Sequence, residues 1–71
     1  MNRRKIAKLV HEGDYVAEVE VEAIQTADGG SPYLSVDDAY LLDDVRDALK
    51  RRDLKAAARL ARVYKLTPVA A

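Results

Sequence analysis

Apolar and polar residues alternate over positions 15–24, where Tyr, Val and Ala occupy the odd positions and three of the even positions hold glutamate. A period of two is typical of a β-strand with one buried side and one solvent-facing side. Residues 5–11 are more than half apolar with a weaker alternation. The Glu-Gly-Asp sequence at 12–14 is a turn signal, because glycine accepts a positive φ. The pattern predicts an antiparallel β-hairpin over about residues 5–24.

The register of this hairpin has two alternatives. A three-residue loop over 12–14 would place Lys8 opposite Glu18, whereas a two-residue loop of Gly13 and Asp14 would shift the pairing by one residue. In either register the basic first strand lies beside the acidic second strand. Ion pairs between the two strands are therefore expected to stabilise the hairpin.

The apolar spacing changes from two residues to three and four in the second half of the chain. This spacing predicts a helix over about 36–51, capped by Ser35, whose hydroxyl can accept a hydrogen bond from a free amide of the first turn. A second, alanine-rich helix is predicted over about 54–65, with Asp53 as its cap. It ends before Pro68, because the residue preceding a proline disfavours the helical conformation.

These elements predict an α+β fold in the order ββαα, a two-stranded antiparallel hairpin packed on a two-helix hairpin. The loop at 25–34 carries turn residues, and its last two residues, Tyr33 and Leu34, are expected to form a short extended segment docked on the hairpin. A single small domain should cover 1–66, followed by a loose tail at 67–71. Because a lone hairpin has two free edges and a short chain has a small core, a dimer or another complex is expected to complete the fold.

One hydrophobic core is expected to include residues from the apolar faces of all four elements. A buried leucine in so small a core should be sensitive to truncation. The predicted core residues are Tyr15, Val19, Val21, Leu42, Val45, Leu49, Leu54, Ala58, Ala61 and Tyr64.

Charge is balanced over the chain but segregated along it. Twelve Lys and Arg residues offset twelve Asp and Glu residues, which excludes a global electrostatic field that would attract nucleic acid. The charged residues of 12–47 are all acidic except Arg46, and those of 50–65 are all basic except Asp53. The segregation has two interpretations: the charges pair inside the fold, or one basic face meets an anionic partner.

Composition also bounds the cellular context. The chain has no cysteine, which excludes disulfides and thiolate metal sites and fits a reducing cytoplasm. No apolar run is long enough to span a membrane, and no signal-peptide pattern is present. A cytoplasmic protein without a membrane partner is therefore expected.

Candidates for catalysis are few. His11 is the only histidine and no cysteine is present, so dyads and triads built on these two residue types have at most one member. Aspartates of the first predicted helix could suggest a divalent cation site, but calcium loops space their ligands through a non-helical segment. A solvated face, with Asp47 beside Arg51 and Asp43 beside Arg46, explains them better. No catalytic, metal-binding or cofactor-binding residue is assigned, and the chain is not expected to be an enzyme.

The second predicted helix and the corner before it are the candidate site for nucleic acid. A basic helix face can contact phosphates, and two helices with a short turn resemble a helix-turn-helix. Against this, the corner has no glycine, no third helix is evident, and the second helix has no Asn, Gln or Ser for reading bases. The candidate residues are Arg51, Arg52, Lys55, Arg59 and Arg62.

A series of short motifs spans nearly the whole chain: Tyr-Val-Ala-Glu-Val at 15–19, Ser-Pro-Tyr-Leu-Ser at 31–35, Leu-Ala-Arg-Val at 60–63 and Leu-Thr-Pro-Val at 66–69. With these motifs the chain resembles small bacterial and cyanobacterial proteins that are described only as hypothetical. Members of this kind often look like the small partner of a two-gene toxin–antitoxin arrangement. The motifs are structural, so the resemblance transfers no catalytic residue.

The resemblance implies a non-enzymatic binding or regulatory protein that acts by protein–protein contact, on a toxin-like protein or on a second copy of itself. Antitoxins often join a DNA-binding part to a long disordered tail, and this chain has no long polar tail. The alternative is a small nucleic-acid-binding regulator that uses the basic second helix.

Overall fold

The computed structural model describes residues 2–70, which form an α+β fold with an antiparallel sheet and two helices. This confirms the predicted fold class, but four strands are present in the described chain, so the ββαα order is incomplete. In chain order the elements are β1 (Asn2–Glu12), β2 (Tyr15–Gln25), β3 (Tyr33–Leu34), α1 (Val36–Lys50), α2 (Leu54–Leu60) and β4 (Arg62–Lys65). Met1 and Ala71, the ends of the predicted domain and tail, lie outside the described residues.

Strand β2 is the centre of the sheet. Strand β1 pairs with it along its whole length, and both β3 and β4 pair with its opposite edge. Strand β4 covers residues 15–18 of β2, and β3 covers residues 23–24, as the predicted docking of the Tyr-Leu segment requires. Between them the Glu22 amide donates to the Asp38 carboxylate at 2.8 Å. The first turn of α1 thus supplies a hydrogen-bond partner for an amide of β2 that neither β3 nor β4 reaches.

The hairpin turn contains two residues, Gly13 and Asp14, so the second of the two predicted registers is correct. Lys8 is paired with Val19 instead of Glu18. Gly13 has a φ of 58°, whereas the φ of Asp14 is not positive. These values match a type II′ turn, which has glycine at its first central position. A side chain at this glycine would be strained.

Ion pairs join the two strands, but they form diagonally and between other residues than the pair of Lys8 and Glu18 considered above. Arg3 Nη1 lies 3.5 Å from the Glu22 carboxylate, and Lys5 Nζ lies 3.6 Å from that of Glu20. These pairs confirm that part of the segregated charge is used inside the fold. All four side chains are substantially exposed, so each pair contributes little to stability.

Both predicted helix caps are present. The Ser35 hydroxyl accepts a hydrogen bond from the Asp38 amide, and the Asp53 carboxylate accepts one from the Ala56 amide, both at 3.1 Å. Each cap satisfies an amide that the first helical turn leaves without a partner.

Helix α2 is shorter than predicted: it ends at Leu60, and residues 62–65 form strand β4 instead of continuing the helix to 65. The segment Arg-Val-Tyr-Lys has the β-branched and aromatic residues that favour strands, and it is too short for a helical period to be told from a period of two. Pairing with β2 gives part of its backbone hydrogen-bond partners, and Val63 reaches the core side of the sheet opposite Ala17. The long-range pairing therefore outweighs the helix propensity of the preceding alanines.

The core lies between one face of the sheet and the two helices. Its buried residues are Val10, Ala17, Val19, Val21, Val45, Ala48, Leu49 and Ala57. Of the predicted core residues, Val19, Val21, Val45 and Leu49 are buried, and Tyr15, Leu42, Leu54 and Ala61 pack partly buried against them. Two predictions are wrong, Ala58 and Tyr64, which are exposed. Helix α2 buries the neighbouring Ala57 instead, and β4 turns Tyr64 to the outer face, opposite Val16.

Candidate functional site

The five basic residues predicted to bind nucleic acid do not share one helix face. Arg51 and Arg52 lie in the corner between α1 and α2, Lys55 and Arg59 lie on α2, and Arg62 belongs to β4. The prediction of one continuous basic helix is therefore corrected by the strand that replaces its last turn.

The backbone of the corner explains why Arg51 and Arg52 point in different directions. Helix α1 ends in a Schellman motif, in which the Asp53 amide donates to the Ala48 carbonyl at 2.9 Å and the Arg52 amide donates to that of Leu49 at 3.1 Å. This motif needs a residue with positive φ, usually glycine, and here Arg52 takes that conformation with a φ of 60°. A non-glycine residue there costs about 1–2 kcal/mol, so other contacts must hold Arg52 in place.

The Arg52 side chain is held by the hairpin turn. Its guanidinium carbon lies 5.7 Å from the centre of the Tyr15 ring, which is within cation–π range. A Cβ atom at Gly13 would lie only 2.9 Å from Arg52 Nη1, so the guanidinium packs closely on the turn backbone. Beside it, Lys50 Nζ lies 3.8 Å from the Glu12 carboxylate. We call this set of contacts, between Lys50 and Arg52 on one side and residues 12–15 on the other, the turn–corner contact.

Arg51 pairs with Asp47 of α1 and with Asp53 of the corner itself. Its Nε lies 3.1 Å from the Asp47 carboxylate, as the sequence predicted, and its Nη1 lies 3.9 Å from that of Asp53. Both ion pairs are exposed and contribute little stability. The two carboxylates nevertheless offset the positive charge with which Arg51 would attract a phosphate. The other predicted pair, Asp43 with Arg46, is absent among the ion pairs of residues 2–70.

Arg59 and Arg62 share a recess with acidic residues of β2. The recess has a volume of about 590 Å³ and is lined by both arginines together with Glu18, Glu20 and Lys5. Arg62 is paired with Glu18 in the sheet register. The recess thus contains acidic as well as basic side chains, and the glutamates reduce the net positive field at a phosphate bound there. Lys55, exposed on α2, has no ion pair within the described chain.

Two polar side chains, His11 and Asp28, bond to groups close to them in sequence. His11 Nε2 lies 2.9 Å from the Gly13 carbonyl of its own turn. Within residues 2–70 no three His, Asp or Glu side chains gather as metal ligands would. The pKa of Asp28 is lowered by hydrogen bonds from the Thr26 hydroxyl and the Gly30 amide, but all three groups belong to one exposed loop.

The outer edge of β1 is the clearest unsatisfied surface. A two-residue hairpin loop is closed by a hydrogen-bonded pair, here Glu12 and Tyr15, so the even residues of β1 bond to β2 and the odd residues direct their N–H and C=O groups outward. In the described structure no strand and no side chain bonds to these outward groups. The outward residues are Arg3, Lys5, Ala7, Leu9 and His11.

The free edge is long and carries an exposed leucine. Strand β1 has 11 residues, and the side chain of Leu9, near the middle, is 68% exposed. The sequence predicted two free hairpin edges but not which edge would remain, because the strand character of β4 was not recognised. Val63 and Tyr64 are the local signal for a strand, but four residues are too few to separate a period of two from a helical period, and they do not show which strand β4 would join.

Comparison with known proteins finds no protein-family model, no curated protein and no solved structure that matches this chain. In residues 2–70 neither helix is long and apolar enough to cross a membrane.

Proposed function

We propose that this chain is a non-enzymatic binding protein that acts by protein–protein contact through the outer edge of β1. The observation that carries the proposal is the row of outward N–H and C=O groups along this 11-residue strand. An extended segment of a partner can add to such an edge as a further strand, with backbone hydrogen bonds supplying affinity and side chains supplying specificity.

The distribution of charge supports this proposal over a phosphate-binding one. Lys50, Arg51 and Arg52 already contact acidic or aromatic groups of the same chain. Arg59 and Arg62 line a recess together with glutamates of β2. The basic residues of the corner therefore have a structural role in the fold, whereas the outward backbone groups of the β1 edge have no partner in the described chain.

The partner of this edge is a protein segment in an extended conformation. A toxin-like protein is the narrower version of the proposal, and it rests on the sequence resemblance alone. Cytoplasmic location, likewise, stays a prediction from composition.

The test uses a proline at the centre of the edge. Ala7→Pro removes an outward N–H that makes no bond in the isolated chain, so the hairpin should persist while the edge is blocked. Ala7→Ser keeps the N–H and is the matched control. Each tagged variant is expressed in the source cells, cross-linked and analysed by mass spectrometry. The wild type and Ala7→Ser should capture a protein, either this chain or another, that Ala7→Pro does not capture. If Ala7→Pro captured the same proteins as the wild type, the proposal would be overturned.

The second candidate function is nucleic-acid binding, and one observation favours it: Lys55, Arg59 and Arg62 have no ion pair closer than 4 Å in the described chain. If these residues bind duplex DNA, the double variant Arg59→Ala/Arg62→Ala should reduce the slope of log affinity against log salt by about two. We expect instead that the wild-type chain does not bind a mixed duplex at roughly 50 mM salt. Tight, salt-sensitive binding would favour this alternative.

A further inference from the structure

We infer that the outer edge of β1 pairs with the same edge of a second copy, antiparallel, with the two-fold axis at Ala7. This inference rests on the proposed function, because it names the partner of the same edge. Two copies paired in this way would form one continuous sheet, with both β1 strands at its centre and no long free edge.

The positions of the free backbone groups restrict the possible registers. Because only the odd residues of β1 direct N–H and C=O groups outward, an antiparallel self-pair must place odd residues opposite odd residues. With the axis at Ala7, every outward residue from Arg3 to His11 finds such a partner. An axis at Leu9 would pair a shorter stretch and leave Arg3 beyond the partner strand.

The Ala7 register also separates the basic residues. Like charges directly opposite each other on neighbouring strands are destabilising. In this register the Lys5 side chain lies opposite Leu9 of the partner, and Lys8 lies opposite Ile6 of the partner. Arg3 lies opposite His11 of the partner, and Arg4 lies opposite Val10 of the partner. An axis at Lys5 or at Lys8 would instead place two ammonium groups face to face.

Lysine on an edge strand usually opposes self-pairing, but here the charge on the outer face is balanced. Arg3 and Lys5, which point to that face, lie within 3.6 Å of the Glu22 and Glu20 carboxylates of their own chain. A strongly acidic partner strand would therefore gain little from these two residues and would lie near the glutamates of β2. A second copy, whose Arg3 and Lys5 are already paired with its own glutamates, meets no such penalty on this face.

The exposed Leu9 gains cover in this arrangement. It is 68% exposed in the isolated chain. Opposite it, the alkyl part of the partner's Lys5 can lie along the leucine while its ammonium stays near the partner's Glu20. The contact removes apolar surface from water on both sides of the axis.

The first measurement is the mass of the wild-type chain by sedimentation equilibrium. An edge contact is small, so association should depend on concentration over roughly 5 to 500 μM. The mean mass should rise from 7.9 kDa toward twice that value. Ala7→Pro should stay monomeric with an unchanged circular dichroism spectrum, and Ala7→Ser should behave as the wild type.

The second measurement tests the register by cross-linking, which the absence of cysteine makes possible. In the proposed dimer two Ala7→Cys chains place their Cα atoms about 5.5 Å apart, within the range for a disulfide. Oxidised glutathione should therefore convert Ala7→Cys to a disulfide dimer at least about tenfold faster than Lys5→Cys or Leu9→Cys alone. A mixture of Lys5→Cys and Leu9→Cys should cross-link into the heterodimer.

Each result bears on the inference separately from the proposed function. A mass of 7.9 kDa at every concentration, or fastest cross-linking of Leu9→Cys, would overturn the Ala7-centred dimer. If that monomer still loses a cellular partner through Ala7→Pro, the edge is a binding site for another protein and only the inference fails. If no protein contact responds to the proline, both fail.

Discussion

The two ends of the β1–β2 hairpin are held in different ways. At the turn end, residues 12–15 are fixed by the turn–corner contact, and the Asp14 carbonyl accepts a 2.7 Å hydrogen bond from the Leu66 amide. At the open end, β3 supplies only two residues, and the loop before it is organised by hydrogen bonds around Asp28. The first end depends on residues far apart in sequence, and the second depends largely on local bonds.

The difference shows what a basic cluster can mean. Lys50 and Arg52 form part of a run that, in the sequence, suggested an anion site. In the structure they connect a helix corner to a hairpin turn more than 30 residues earlier. Charge segregation along a chain can therefore reflect contacts between distant segments, and it indicates a ligand only when such contacts are absent.

The largest expected effect comes from the core beneath the turn end. Leu49 is fully buried, and Leu49→Ala should lower the free energy of unfolding by about 2–5 kcal/mol, because it removes buried methyl groups and leaves a cavity. That loss is a large fraction of the stability of a small domain. Urea denaturation measures it, with the half-exposed Leu60→Ala as the control. If the two variants had equal urea midpoints, Leu49 would not be part of the core.

A pair of glycine variants compares the two ends directly. Gly13→Ala should destabilise by about 1–3 kcal/mol, because alanine disfavours the positive φ and its Cβ displaces the Arg52 guanidinium. Gly29→Ala, at the open end, has a similar φ of 78° but no heavy atom within 4 Å of the added Cβ. It should therefore suffer only the conformational cost. Thermal unfolding that affected both variants equally would contradict a special role for the turn–corner contact.

The Arg52 position separates backbone strain from side-chain contact. Arg52→Ala keeps the positive φ unfavourable and loses the contact with the Tyr15 ring, at a cost of about 0.5–1 kcal/mol. Arg52→Gly also loses the contact but suits the Schellman motif, so it should be about 1 kcal/mol more stable than Arg52→Ala. Arg51→Ala, which removes only exposed ion pairs, is the control. If Arg52→Ala proved as stable as Arg52→Gly, the strain at this position would be absent.

These comparisons also show how far the sequence could predict the fold. The alternation of β2 and the caps Ser35 and Asp53 depend on neighbours in sequence, and the structure contains them as predicted. Strand β4 depends on pairing with a segment more than 40 residues earlier, which local propensity cannot reveal. The positive φ of Arg52 was equally hidden, since a non-glycine residue takes it only when distant contacts hold it.

For the candidate site the same distinction applies. The presence of two hairpin edges follows from the alternation alone, but the free one can be identified only when β3 and β4 are known to cover β2. The basic residues were found by composition, yet their neighbours Glu12, Glu18 and Glu20 come from the other half of the chain. Charge is readable from a sequence, whereas its compensation requires the tertiary contacts.

The smallest expected effect is at the open end and concerns pH. The pKa of Asp28 lies below its ordinary value of 3.8, because first the Thr26 hydroxyl and then the Gly30 amide donate to the ionised carboxylate. A lowered pKa in the folded chain means that the ionised group stabilises the loop above about pH 3.8, and that this contribution is lost as the pH falls through the folded value. Carboxyl resonances followed by NMR between pH 2 and 6 should show Thr26→Val raising the pKa of Asp28 toward 3.8. Arg52→Ala, at the other end of the hairpin, should leave that pKa unchanged, since only groups of the same loop hold the carboxylate. A shift caused by Arg52→Ala would show instead that the two ends of the hairpin are coupled.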